Sequence, residues 1–171
     1  MRRDAIVRPA ALEDCPDITE IYRVAVLAGT GSFEIEPPDE AEMARRFEAI
    51  VAGGFPYLVA TSGTKVLGFA YANAFRERAA FRYTIEDSIY VASGYQRAGV
   101  GRMLLGELIR HSRERGFREM VAVIGDSANA ASIGLHRDLG FRDAGKFTAV
   151  GFKHGQWLDA VLMQLTLCAR K

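Results

Sequence analysis

Tyr90-Val91-Ala92-Ser93-Gly94-Tyr95-Gln96-Arg97-Ala98-Gly99-Val100-Gly101-Arg102 carries the chain from an apolar strand, through a glycine-broken turn, into a helix. At Gly99 and Gly101 no Cβ hinders the approach of backbone N–H groups to a ligand. They stand where a helix presents its unpaired N–H groups and the positive end of its dipole. Such a turn suits a pyrophosphate, and Arg97 and Arg102 add charge. The same residues also read as a plain turn with a glycine-eased helix start. Two nucleotide motifs are excluded. A dinucleotide fingerprint needs a third glycine where Leu104 stands, and a Walker A loop needs Gly-Lys-Ser/Thr where Gly101-Arg102-Met103 stands.

Outward from this turn, the strand before it extends back to about Phe81 and the helix after it runs from Gly99 to Arg115, with Leu104, Leu105, Leu108 and Ile109 inward and Gly116 closing it. Upstream, Ile6–Arg8 reads as a first strand stopped by Pro9. A helix capped by Asp14 or Cys15 follows, with Ile18, Ile21, Tyr22, Ala25 and Val26 at helical spacing. Gly29-Thr30-Gly31-Ser32 ends it and opens a loop carrying Phe33 and Glu34. Asp39 and Glu42 read as a capping box for a second helix that buries Met43, Phe47, Ile50 and Val51. A hairpin of Tyr57–Thr61 and Lys65–Phe75 comes next. Downstream, Met120–Ile124 reads as an apolar strand covered on both faces, Asn129–Leu139 as a helix, and Lys146–Phe152 with Leu158–Leu167 as two closing strands. The order βααβββαβαββ predicts a single α/β (α+β) domain over residues 1–171, its mixed sheet flanked by helices on both faces.

Composition narrows the function. The chain has 171 residues, 49% of them hydrophobic, enough for one core and too apolar for global disorder. Lys and Arg number 22 against 21 Asp and Glu, so the formal charge of +1 argues against nucleic acid or an anionic membrane as the partner. No run approaches the roughly 20 apolar residues of a bilayer span, and the polar start at Met1-Arg2-Arg3-Asp4 is no secretory leader. The two cysteines, Cys15 and Cys168, lie far apart, which predicts neither a disulfide framework nor a zinc site and places the chain in a reducing cytoplasm.

Two clusters carry candidate chemistry. In Thr84-Ile85-Glu86-Asp87-Ser88-Ile89-Tyr90-Val91, Thr84, Glu86, Ser88 and Tyr90 share one face, and Ile85, Asp87, Ile89 and Val91 the other. Adjacent acids inside an apolar strand are unusual, because an unpaired buried carboxylate is costly. They either reach the sheet surface or one of them works in a cleft, where burial would raise its pKa and fit it to deprotonate an amine. Asn129, Ser132 and His136 fall on one stripe of their helix. Lys153 and His154 read as loop residues, and Trp157, the sole tryptophan, as a packing residue.

Gln96-Arg97-x-Gly99-x-Gly101 between a strand and a long helix resembles the acetyl-CoA signature of the GNAT superfamily of N-acetyltransferases. The element order is also that of this family, so the resemblance covers nearly the whole chain. It implies that Gln96, Arg97, Ala98, Gly99, Val100, Gly101 and Arg102 hold the pyrophosphate of acetyl-CoA. It implies too that the backbone of Ile89, Tyr90 and Val91 pairs with the pantetheine arm, and that Asn129 and Ser132 line the same track. Most members carry Tyr where His136 stands; histidine can make the same proton transfer to the departing thiolate.

A finer similarity is to the branch of phosphinothricin, methionine sulfone and methionine sulfoximine acetyltransferases. It rests on Phe33-Glu34, Phe75-Arg76-x-Arg78, Tyr83-Thr84-Ile85-Glu86, Val123-Ile124-Gly125-Asp126, Ser127-x-Asn129-x-x-Ser132-x-x-Leu135-His136 and Val150-Gly151-Phe152-Lys153-x-Gly155-x-Trp157-Leu158-Asp159. The branch implies Glu86 as general base and His136 as a second catalytic group. Arg76 and Arg78 would surround the substrate carboxylate beside Thr84 and Ile85, with Phe33 and Glu34 on the opposite wall. It further implies a small amino-acid acceptor, no metal, direct attack in a ternary complex, and a homodimer. The rival readings are a GNAT enzyme for a polyamine, another small amine or a protein N-terminus, and a CoA-binding sensor without catalysis.

Overall fold

The computed structural model describes residues 5–168; Met1–Asp4, read above as a polar start, lie outside it. The strands and helices follow the expected order: β1 (Ile6–Pro9), α1 (Cys15–Ala28), α2 (Glu40–Ala52), β2 (Tyr57–Ser62), β3 (Lys65–Ala74), β4 (Thr84–Val91), α3 (Val100–Glu114), β5 (Glu119–Gly125), α4 (Ala130–Asp138), β6 (Arg142–Lys153) and β7 (Gln156–Thr166). They build one seven-stranded sheet in the order β1-β2-β3-β4-β5-β7-β6. Every pairing is antiparallel except that of β4 with β5.

Each face of the sheet has its own core. Leu104, Leu105 and Leu108 of α3 are fully buried with Leu58, Ile85, Met120 and Met163 on one face. Burying each such side chain is worth about 1.5–3 kcal/mol. On the other face Ile18, Tyr22 and Val26 of α1 and Met43 and Phe47 of α2 pack on Tyr57, Phe69 and Val59. There Tyr57 stacks on Phe69 and on Tyr71, and Tyr22 meets Tyr90 edge-on.

Several local expectations change. α2 is capped by Asp39 Oδ1, which accepts from Glu42 N at 2.8 Å, but the Glu42 carboxylate does not return the bond; it pairs with Arg45 and Arg46 instead. Val51 is exposed, because α2 lies at the rim of its core. β4 starts at Thr84 rather than Phe81, since Ala79–Phe81 forms a 3-10 turn. β5 is covered on one face only: Met120, Ala122 and Ile124 are buried, whereas Val121 and Val123 border a cavity. Trp157 does not pack into the core; it is 67% exposed on the outer strands beside Phe152.

One irregularity of the sheet positions the site. β4 pairs with β5 only from Thr84 opposite Glu119 to Asp87 opposite Ala122. Beyond that β4 stays with β3 as far as Val91, and β5 stays with β7 as far as Gly125. The central strands therefore part, and the facing backbone of residues 88–91 and 123–125 loses its ladder partners.

Candidate active site

The gap between β4 and β5 is a slot of about 240 Å³ that runs through the sheet. Ser88, Tyr90 and Val123 border it from the α1/α2 side, and Asp87, Ile89, Asn129, Ser132 and His136 from the α3/α4 side. The backbone N–H and C=O groups that face this gap have no strand partner across it, and residues 88–91 stand half-exposed, open to a guest that carries amides. An extended arm carrying amides, as in pantetheine, fits that donor and acceptor pattern. At the mouth, Gly99 caps α3 with φ 88° and Arg97 has φ 60°, so the backbone turns through left-handed conformations just where the helix N–H groups open. Gly101 has a different reason to be glycine: a Cβ there would sit 3.2 Å from the Leu135 side chain of α4. Val100 is buried in the core, while Arg102 is exposed and bonds Asp138 across the helices. Gln96 borders the slot.

The stripe on α4 is present as expected. Asn129 caps the helix, its Oδ1 accepting from Ser132 N, and Ser132 and His136 border the slot with it. His136 itself is buried. Its Nδ1 lies 2.7 Å from the Ser132 carbonyl oxygen and its Nε2 lies 3.0 Å from Asp87 Oδ2. Burial by itself would push the ring's pKa down. The hydrogen bond and charge of Asp87, helped by the Ser132 carbonyl, override that and hold it above its ordinary value.

Glu86 leaves β4 by the opposite face and borders a larger cavity of about 520 Å³, shared with Arg76, Phe75, Phe81, Thr84 and Val121. Burial raises its carboxyl pKa, the Asp87 charge adds to the rise, and Arg76 opposes it. Arg76 also lies over the Phe75 ring at 4.9 Å. Arg78 sits farther out, in an open hollow with Arg76, Glu77 and Phe81. Ile85 is fully buried in the α3 core, so its side chain is out of an acceptor's reach.

Phe33 and Glu34 do not line the Glu86 cavity. Glu34 accepts from Arg46 at 2.6 Å beside a separate hollow of about 350 Å³ bordered by Tyr71 and Asn73. Asn73 stands opposite Glu86 in the β3–β4 ladder, and the charges of both Glu34 and Glu86 act on the Tyr71 phenol, so Tyr71 and Asn73 stand between the two hollows.

The loop between α1 and α2 is pinned in part by Lys153, expected in a loop but found buried at the end of β6. Buried Lys153 donates to the Ser32 carbonyl at 2.7 Å, and Ser32 Oγ lies 3.1 Å from Tyr22 Oη. Phe33 rests on Gly151, and a Cβ at Gly125 would come within 2.2 Å of the Thr30 carbonyl oxygen. Only the unusual pair of acids in β4 signalled Asp87; Lys153 carried no local signal. Among the described residues no group of three or more His, Cys, Asp and Glu could hold a metal ion, and no helix is long and apolar enough to cross a membrane.

Comparison with known proteins bears on this geometry. The acetyltransferase (GNAT) family model matches residues 13–141. The chain is 48% identical over 163 residues to a phosphinothricin N-acetyltransferase of Alcaligenes faecalis, covering 95% of this chain and 83% of that one. It is 43% identical over 164 residues to an L-methionine sulfoximine/L-methionine sulfone acetyltransferase of Pseudomonas paraeruginosa, covering 95% of each. A crystal structure of a GNAT superfamily phosphinothricin acetyltransferase from Sinorhizobium meliloti in complex with AcCoA superposes with a TM-score of 0.92 at 48% identity, covering 95% of this chain and 88% of that one. With the glycine-led helix, the parted strands and these relatives in agreement, the chain belongs to the GNAT family of acetyltransferases.

Proposed function

We propose that this chain, as one N-acetyltransferase domain over residues 1–171, transfers acetyl from acetyl-CoA to the α-amine of a small amino-acid analogue of the phosphinothricin, methionine sulfoximine or methionine sulfone type. The observation that carries this reading is the placement of Glu86 and Arg76 in one cavity beside the slot between β4 and β5. Acetyl-CoA supplies the activated acyl group as a thioester. Gln96, Arg97, Ala98, Gly99, Val100, Gly101 and Arg102 would bind its diphosphate through helix N–H groups and charge. The freed backbone of Ile89, Tyr90 and Val91, with Asn129 and Ser132, would hold its arm and polarise the carbonyl.

Arg76, with Arg78 at the rim, pairs with the acceptor carboxylate, since a guanidinium fork matches carboxylate, phosphinate and sulfone oxygens. Thr84 bounds the acceptor side chain within the cavity, and the loop of Phe33 and Glu34 would reach it only from the neighbouring hollow beyond Tyr71 and Asn73. Glu86 takes the ammonium proton, directly or through water, so that the neutral amine attacks the thioester without a covalent enzyme intermediate. His136 protonates the departing thiolate. The chain works in the cytoplasm, as a homodimer whose contact uses Phe147, Val150, Phe152 and Trp157, all more than half exposed on the outer strands. Sedimentation of Trp157→Glu as a monomer would support that contact; an unchanged species would remove it.

Thiol release from acetyl-CoA, measured over a panel of phosphinothricin, methionine sulfone, methionine sulfoximine, spermidine and an N-terminal peptide, tests the reading. Turnover confined to the first three is expected. Preference for spermidine or the peptide overturns the acceptor class, and acetyl-CoA binding without thiol release from any acceptor overturns catalysis.

A further inference from the structure

Both ring nitrogens of His136 face hydrogen-bond acceptors. A backbone carbonyl can only accept, so Nδ1, 2.7 Å from the Ser132 oxygen, must donate. With Asp87 ionised, its Oδ2 only accepts, so Nε2, 3.0 Å away, donates as well. A ring with two N–H donors is an imidazolium. The surroundings fit this state. The Asp87 and His136 side chains are 2% and 4% exposed, and Asp87 Oδ1 has no hydrogen-bond partner among the described residues. A buried carboxylate so poorly solvated calls for an opposite charge in contact with it.

No other charge among the described residues competes for the ring. Glu86 leaves β4 by the other face. Arg102 of α3 and Asp138 of α4 bond each other, and Arg137 of α4 bonds Asp143 of β6, both pairs at the surface. Phe141 meets the ring edge-on at 4.9 Å, and Ala122 and Ile124 of β5 are apolar.

We propose that Asp87 is a positioning residue that keeps His136 doubly protonated, so that the ring enters each turnover as a proton donor and not as a base. This inference rests on the acetyltransferase reading above and assigns the partner of its acid. In the step, the Nε2–H leaves its hydrogen bond to Asp87 Oδ2, the N–H bond breaks and an S–H bond forms on the departing thiolate. The ring is left neutral, with Nδ1–H still bonded to the helix. The new Nε2 lone pair then faces the Asp87 carboxylate, which drives the ring to recover a proton from solvent after product leaves.

The test is a two-dimensional ¹⁵N–¹H spectrum of the ring nitrogens of the full chain, titrated with pH; the His136 signals are assigned by their absence in His136→Gln. In the native protein both nitrogens should remain protonated at pH values above the ordinary histidine midpoint of about 6.5. In Asp87→Asn, which keeps the shape and removes the charge, the ring should titrate lower by about one pH unit or more. The basic limb of its kcat profile should fall with it, a change that loss of packing alone would not produce. Asp87→Ser serves as a second variant, and the native spectrum decides the protonation state whether or not either variant folds. A neutral His136 ring at pH 7, or a ring that titrates alike with and without the Asp87 charge, overturns the proposal. The spectrum needs no acceptor: a charged ring in a chain that acetylates nothing keeps Asp87's hold on His136 and removes only the catalytic reading.

Discussion

Glu86 of β4 and His136 of α4 lie at opposite faces of the sheet, on either side of the slot where β4 and β5 part. One strand achieves this by its alternation: Glu86 points into the cavity it shares with Arg76, and the next residue, Asp87, points the other way to meet the imidazole. The Glu86 and His136 side chains are thus separated by the thickness of the sheet, and each borders its own cavity.

Glu86→Gln should lower kcat by about 10²-fold or more, the usual scale for losing a general base. The Glu86 carboxyl is raised by burial and by Asp87. In the native enzyme kcat/KM should therefore fall off, on acidification, at a pH above the ordinary glutamate value, and this acidic limb should vanish in the variant. Initial-rate thiol release across pH checks both; an unchanged profile removes Glu86 from the role.

Replacing Arg76 by Ala should raise KM for a carboxylated acceptor about tenfold or more while leaving KM for acetyl-CoA nearly unchanged. Since Arg76 holds the Glu86 pKa down, the acidic limb should also move to higher pH. Equal effects on both substrates would refute the contact.

Lys153→Met keeps most of the buried stem but strips the Ser32 carbonyl of its donor. An unsatisfied buried acceptor costs about 1–3 kcal/mol. A lower Tm together with a higher acceptor KM is expected, because the same loop carries Phe33 and Glu34. A loss of Tm with an unaltered acceptor KM would confine Lys153 to stability.

Gly99→Ala forces a Cβ onto a backbone with φ 88°. Left-handed backbone costs a non-glycine residue about 1–2 kcal/mol. The expected signature is weaker acetyl-CoA binding by calorimetry with acceptor KM preserved.

The His136–Asp87 pair predicts a pH dependence of stability. The ring's folded pKa is raised above its unfolded value. Its contribution is therefore fully present below about pH 6.5 and is lost as pH rises through the folded pKa. The Tm advantage of the native chain over Asp87→Asn should shrink as the solution is made alkaline; a constant gap would show that the charge contributes nothing.

Element order was legible because helix and strand periodicities are local. The Leu104–Leu105–Leu108 stripe and the Gly99 turn announce themselves within a few residues. The α4 stripe of Asn129, Ser132 and His136 was legible for the same reason. What stayed hidden depends on partners distant in sequence. His136 meets Asp87 across 49 positions and Lys153 meets Ser32 across 121, and no periodicity encodes either choice. Trp157 shows the converse error: an aromatic residue in an alternating strand says which face it takes, not whether that face is covered.

The contact between Thr30 and Gly125 bears on how acceptor range could be altered. The loop that carries Phe33 and Glu34 meets bare backbone at Gly125, while Ser32 and Phe33 hold it by their own side chains against Tyr22 and Gly151. A segment grafted between α1 and α2 would therefore have to keep Ser32 and Phe33 as its anchors, and position 125 as glycine, to sit where the native loop sits.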